Sequence, residues 1–396
     1  MYRQTVVDAS GATLRPDRHP ATHAEEVDTE SFPIQDESMK LPVYNLTRVL
    51  IISIIIGGSS VGARELASSI DDYMNASVSA GKFSGAVLVA RDGKVLFTKG
   101  YGMASLELKV PNTPQMKFRI GSLSKQFTAM AVMILQERGR LKVQDSVCKY
   151  VPECPEAWAH VTIHQLLTHT SGIPELLSFP DFQQTMALPS PVAQTVERFK
   201  HKPLDFEPGA RFHYSNSGYV LLGYIIERAS GVPYEDFLTA NIFEPLKMAN
   251  TGSDHNERLI MNRANGYIRR GATILNAPYI DMSIPTGGGS LYSTVEDLFR
   301  WDQALYTEKL VAGSTLDAMF KPYATADWGD GAAYGWFIGK DKAGHSYMGF
   351  EGGINGFASH IMRYTNDRVL VVVLSNYSFA PVADIESELA AIVFKG

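Results

Sequence analysis

Leu66, Ile70, Tyr73, Met74 and Val78 recur at helical spacing, which predicts an amphipathic helix at the start of the globular part. Two strand-like runs follow, Gly85 to Arg91 and Lys94 to Gly100, joined by Asp92-Gly93, a favoured two-residue hairpin turn. The C-terminal stretch answers with more strands: Tyr334 to Gly339, His345 to Gly349, Phe357 to Arg363 and Arg368 to Leu374. Asn366-Asp367 reads as a turn, and Asp384 to Phe394 as a closing helix. Between these ends the pattern is mostly helical and loop-rich, without an internal repeat. The first and last segments are expected to share one antiparallel sheet. An α/β (α+β) chain follows, with its sheet part at about 64–120 and 295–396 and an inserted helical part at about 121–294.

The region before residue 64 needs separating. Residues 1 to 38 carry three basic and eight acidic side chains with neither helical nor strand periodicity, and read as a disordered leader. From Met39 the pattern changes to Met39-Lys40, Arg48, the apolar run Val49 to Ile56, and small residues ending Val61-Gly62-Ala63. This is the layout of a secretory signal, with Met39 as start and cleavage after Ala63; an uncleaved anchor is the alternative. An exported protein of residues 64–396, periplasmic or secreted, is expected. Export gives Cys148 and Cys154 two readings, a small disulfide loop or two unrelated thiols.

Composition narrows the function. Of 396 residues, 45% are hydrophobic and 20% charged, enough for a large core. The 36 basic and 42 acidic side chains give a net charge of −6, without the basic surplus that nucleic-acid binding needs. Two cysteines outside any C-x-x-C pattern argue against a zinc or redox site. No metal or other cofactor is expected.

The chemistry centres on Ser122-Leu123-Ser124-Lys125, followed by the apolar stripe Phe127, Met130, Ala131, Ile134 and Leu135 of a helix ending near Gly139. Ser122 then lies at the helix start, with Lys125 one turn later on the same face. Burial depresses a lysine's pKa, so that its amine can take the serine proton, and helix-terminal N–H groups favour negative charge beside the nucleophile. Alone, the spacing is a weak signal, equally suited to an N-cap before a surface lysine.

Context strengthens it. Arg119-Ile120-Gly121 precedes the serine, and Val161 to Pro174 follows with His164 and the run His169-Thr170-Ser171-Gly172. Then come Phe206-Glu207-Pro208-Gly209, Tyr214-Ser215-Asn216-Ser217-Gly218-Tyr219, Gly287-Gly288-Gly289-Ser290-Leu291 and Ser293 to Leu298. In this order the segments resemble the serine β-lactamase-related superfamily, in the branch of class C β-lactamases, family VIII carboxylesterases and D-aminopeptidase-like penicillin-binding proteins. The resemblance spans nearly all of residues 64–396. It implies the β-lactamase/transpeptidase-like fold, an antiparallel sheet flanked by helices with a mostly helical insert. It also implies Ser122 as acyl-accepting nucleophile, Lys125 as its hydrogen-bonded amine and Tyr214 as acid/base partner. Asn216 would hold the lysine and the substrate acyl group. An ammonium beside the phenol is expected to lower the phenol's pKa.

The third motif departs from the pattern. Relatives carry Lys-Thr-Gly, His-x-Gly or Trp-x-Gly on a strand bordering the site, where this chain has Phe350-Glu351-Gly352-Gly353. Gly352 would be the motif glycine, and the N–H of Gly353 the second oxyanion donor beside that of Ser122. Phe350 replaces a cation that would bind a substrate carboxylate, and Glu351 adds negative charge. Neutral esters or amides are therefore favoured over lactams and D-alanyl peptides. His345 is a candidate for the missing cation. A small-molecule ester, amide or lactam is the expected partner, and no oligomeric state is implied. Three functions compete: an esterase acting through an acyl-enzyme, a class C-type β-lactamase or D-alanyl peptidase, and a penicillin-binding sensor without turnover.

Other features have plainer explanations. Gly58-Ser59-Ser60-Val61-Gly62 matches a nucleophile elbow only as a string. His160, His164 and His169 lack suitably spaced acidic or cysteine partners, and Thr162 reads as a helix cap. Gly287-Gly288-Gly289 reads as a tight turn or close approach beside the site, Trp301 and Trp336 as core, and Glu296-Asp297 as support for a helix begun at Thr294.

Overall fold

The computed structural model describes residues 53–395. The expected leader and most of the expected signal segment lie outside them, and no described helix is long and apolar enough to cross a membrane. The first helix, α1 (Ser53–Ser79), contains the expected amphipathic stretch, with Ile70 and Met74 fully buried. The hairpin follows as β1 (Gly85–Arg91) and β2 (Lys94–Tyr101), with Asp92 and Gly93 both at positive φ, as this tight turn requires.

Six C-terminal strands complete the sheet: β3 (Ala324–Thr325), β4 (Gly331–Ala333), β5 (Trp336–Lys340), β6 (Ser346–Ile354), β7 (Phe357–Tyr364) and β8 (Val369–Ser375). The spatial order is β3-β4-β5-β6-β7-β8-β1-β2, antiparallel throughout, so the chain's two ends meet at the β8–β1 pair. Period-two alternation assigns each face of that pair. Leu370, Val372 and Leu374 join the larger core, while Val369, Val371 and Val373 join a second core with α1 and α5 (Val382–Lys395). Both faces are covered, which is why β8 reads as a continuous apolar run.

The inner face carries α2 (Ser124–Glu137), α3 (Asn216–Ser230) and α4 (Val295–Ala304). Thr294 caps α4 as expected, and Trp301 and Trp336 are buried. The insert is less purely helical than its sequence suggests. Two small sheets interrupt it: Leu291–Ser293 pairs with Gly252–Ser253 and with Phe118–Arg119 just ahead of the insert, and Tyr267–Arg270 pairs with Thr273–Asn276. These strands are too short to show a period. Cys148 and Cys154 are disulfide-bonded.

Candidate active site

Ser122 lies in a 3₁₀ turn, Gly121–Leu123, just ahead of α2 rather than in its first α-turn. With three residues per turn, positions three apart eclipse, so Ser122 and Lys125 stand side by side. The turn is pinned from three directions. Ile120 N–H donates to the Leu291 carbonyl at 3.0 Å, Leu291 N–H donates to Ser124 Oγ at 3.1 Å, and Ser359 Oγ on β7 donates to the Ile120 carbonyl at 2.8 Å. Strand β6 passes directly alongside. A Cβ on Gly352 would meet the Ile120 carbonyl at 2.3 Å and Ser359 Oγ at 2.4 Å, so only glycine lets strand and turn touch. We expect Gly352→Ala to force them apart and displace Gly353 from Ser122. A loss of about 10²- to 10³-fold in kcat, the cost of an oxyanion-hole donor, is expected in ester hydrolysis assays. Wild-type turnover in this variant would contradict that role for the strand.

Two groups converge on the Ser122 oxygen. Tyr214 OH donates to Ser122 Oγ at 2.8 Å, and Lys125 Nζ lies 3.1 Å from it. Lys125 also donates to Asn216 Oδ1 at 2.8 Å and to the Gly288 carbonyl at 2.7 Å. Its side chain is fully buried, and desolvation pulls its pKa down to about 7, against a smaller opposing pull from Glu175. Tyr214 corrects an expectation. Burial raises its phenol instead of an ammonium lowering it, because a lysine that sheds its charge near neutrality no longer stabilises a phenolate.

Asn216 opens α3, one residue after the cap Ser215, whose side chain accepts from Gly218 N–H. Sequence reasoning missed the residue that holds it: Glu175 accepts hydrogen bonds from both the backbone and the side-chain nitrogen of Asn216. One amide hydrogen expected to face the acyl group is thus already engaged. Glu175 follows Pro174 in a loop without periodicity, so no local signal marks it. Thr128, also missed, donates to the Gly287 carbonyl at 2.6 Å and fixes the glycine run. At Gly287, with φ +75°, a Cβ would fall 2.3 Å from the Tyr219 carbonyl on α3.

The histidines behave structurally. His169 is buried, stacks on Tyr214 with ring centres 4.5 Å apart, and accepts from Ser215 N–H at 3.1 Å. Desolvation holds its pKa well below the usual value, so it is a neutral wall. His164 pairs with Tyr334 OH at 2.7 Å, and His160 is exposed. Among the described residues no group of three potential ligands is arranged for a metal ion. His345 is not a site residue. It bonds Asp367 at 3.0 Å and stacks on Phe394 of α5, on the sheet's other face.

Two cavities flank the serine and share Gly353. The smaller, about 180 Å³, is lined by Ser122, Asn216, Leu176, Phe182, Val220 and Ile284 and is largely apolar. The larger, about 680 Å³, lies on the Tyr214 side, where Phe350 is buried against Phe337 at 4.9 Å. Strand β5 pairs with β6 only as far as Gly349, so β6 from Phe350 onward is not paired on that side.

A family model, Beta-lactamase, matches residues 66–393. The chain belongs to the beta-lactamase family. Solved structures that share its fold include EstCE1, a hydrolase with promiscuous acyltransferase activity, at 21% identity, and the D-amino acid amidase from Ochrobactrum anthropi, at 23%. The chain is 31% identical over 315 residues to penicillin-binding protein 4* of Bacillus subtilis, covering 74% of this chain and 68% of that one. It spans 61% of the putative penicillin-binding protein PbpX of the same organism, at 32% identity over 63% of this chain. Among solved structures, the octameric penicillin-binding protein homologue from Pyrococcus abyssi superposes with a TM-score of 0.75 at 31% identity, covering 83% of this chain and 77% of that one. The β-lactamase/transpeptidase-like arrangement expected from the motifs is thus the fold observed.

Proposed function

We propose that this beta-lactamase-family protein hydrolyses small esters through an acyl-enzyme on Ser122. The observation that carries this reading is the meeting of Lys125 and Tyr214 at Ser122 Oγ. Neutral Lys125 takes the serine proton as Oγ attacks the carbonyl, and the N–H groups of Ser122 and Gly353 receive the oxyanion. Tyr214, still protonated, gives its proton to the departing alcohol and regains one from Lys125. Water then attacks the acyl-enzyme, loses its proton to the same pair, and frees Ser122. Tyr214 lines only the larger cavity, so the alcohol departs there while the acyl group occupies the smaller, apolar one.

Phe350 favours esters over carboxylate-bearing substrates, because a buried aromatic ring stands where the Lys-Thr-Gly and His-x-Gly patterns put a cation. A purified sample should turn over a chromogenic short-chain ester faster than a chromogenic cephalosporin. The reverse ranking would support the β-lactamase or D-alanyl peptidase reading, which the penicillin-binding names of the relatives favour. A stable penicillin adduct without turnover would instead indicate a sensor. Export belongs to the same proposal and draws support from the Cys148–Cys154 bond. Recovery of the protein in the cytoplasm with both thiols free would reject it.

A further inference from the structure

The larger cavity, on the leaving-group side, has a distinct chemistry. Aromatic rings wall it: Tyr214 and Phe350 at the serine end, and Phe337 with Trp328 toward the mouth, edge to face at 4.7 Å. Trp328 is 56% exposed, which leaves its ring accessible at the cavity mouth. Asp330 fixes that ring and the opposite wall together, accepting from Trp328 Nε1 at 3.1 Å and from Tyr347 OH at 2.9 Å.

All the charge in the lining is negative. It comes from Asp330 and from Glu351, which alternates with Phe350 along β6, lies toward α5 and borders the cavity at the strand edge that β5 leaves unpaired. Among the described residues, neither carboxylate has a lysine, arginine or histidine partner within ion-pair distance. The one basic side chain in the lining, His360, lies opposite Glu351 in the β6–β7 register. It is buried with its Nδ1 lacking a hydrogen bond and Glu386 Oε2 3.9 Å away, and desolvation lowers its pKa to about 4, so it is uncharged at neutral pH. Partial burial and Asp384 raise the Glu351 carboxyl above its usual value, a cost that a bound cation would offset. Aromatic faces and unneutralised carboxylates facing one cavity form the recognition chemistry of an organic ammonium ion, in which ring quadrupoles and full charges attract the same centre.

We propose that the alcohol or amine half of the substrate carries a positive charge, a protonated or quaternary ammonium seated among Trp328, Phe337, Asp330 and Glu351. This deepens the ester-hydrolase reading and rests on it, since Tyr214 is what assigns this cavity to the leaving group. Hydrolysis stays a plain acyl transfer: the C–O bond to the amino alcohol breaks, Tyr214 protonates the departing oxygen, and the ammonium group is untouched.

The test pairs butyrylcholine with 3,3-dimethylbutyl butyrate, its uncharged isostere with carbon in place of the quaternary nitrogen. Wild-type kcat/KM should favour the cationic ester by at least about tenfold, and Glu351→Gln should bring the ratio toward one. Glu351→Lys should invert it. The second arm is calorimetric binding of choline against 3,3-dimethylbutan-1-ol, which needs no turnover. Both esters hydrolysed at equal rates, or a preference for the neutral one, would overturn the ammonium site and leave ester hydrolysis standing. Selective choline binding that is lost in Glu351→Gln, with neither ester turned over, would do the reverse. Absence of both turnover and choline selectivity would reject both.

Discussion

Ser122→Ala should lower ester turnover by about 10⁶-fold and abolish covalent labelling by a fluorophosphonate, because Ser122 Oγ is the oxygen on which Lys125 and Tyr214 act. The change removes one oxygen from a side chain that is only partly buried, in a turn held by backbone and Ser359 contacts that do not involve Oγ. Fold and thermal midpoint should therefore stay close to wild type. Two partners do lose an acceptor: Tyr214 OH, which lines the larger cavity, and one Lys125 proton, whose Nζ keeps Asn216 Oδ1 and the Gly288 carbonyl. Intact-mass measurement after labelling gives the decisive reading. An adduct that persists in Ser122→Ala would move the nucleophile elsewhere and end the acyl-enzyme account.

Lys125→Met should cost about 10²- to 10⁴-fold in kcat/KM, the range for a lost general base, while keeping most of the buried stem. Its direction with pH follows from the lowered pKa. The amine must be neutral to accept a proton, so wild-type kcat/KM should rise with pH through about 7 and then level off. Burial raises Tyr214, so the phenol imposes no alkaline fall below the usual tyrosine range. In Lys125→Met the limb near 7 should vanish along with most of the rate. The substitution also leaves Asn216 Oδ1 and the Gly288 carbonyl without a donor, at roughly 1 to 3 kcal/mol of stability each if they stay dry. A lowered thermal midpoint is thus expected, and the pH profile separates loss of the base from simple loosening. A wild-type profile flat from pH 5 to 9 would remove Lys125 as the base.

Six of the sheet's eight strands were legible because they alternate or run apolar and the hairpin turn has a strict φ requirement, which Asp92-Gly93 meets. Strands β3 and β4 and the short paired segments in and beside the insert, Phe118–Arg119, Gly252–Ser253 and Leu291–Ser293, were not, since two or three residues carry no period. Ser122, Lys125, Tyr214 and Asn216 stood out through fixed local spacings and through their order along the chain. Glu175 and Thr128 did not, because each acts on a partner distant in sequence through a contact that only folding creates.

The amino-acid order alone thus determined which groups could do the chemistry: a hydroxyl and an amine one short turn apart, with a phenol and an amide two residues apart further on. It also determined that an aromatic and an acidic side chain replace the usual cation motif. Tertiary structure decided their protonation states, because desolvation depends on what packs around a side chain and not on its neighbours in sequence. It likewise decided that Tyr214 keeps its proton, that His345 is remote, and that Glu351 shares a cavity with Asp330 and Trp328. Charge and burial act through space, so residues far apart in the chain set each other's chemistry only once the sheet and the insert have closed on a common cleft.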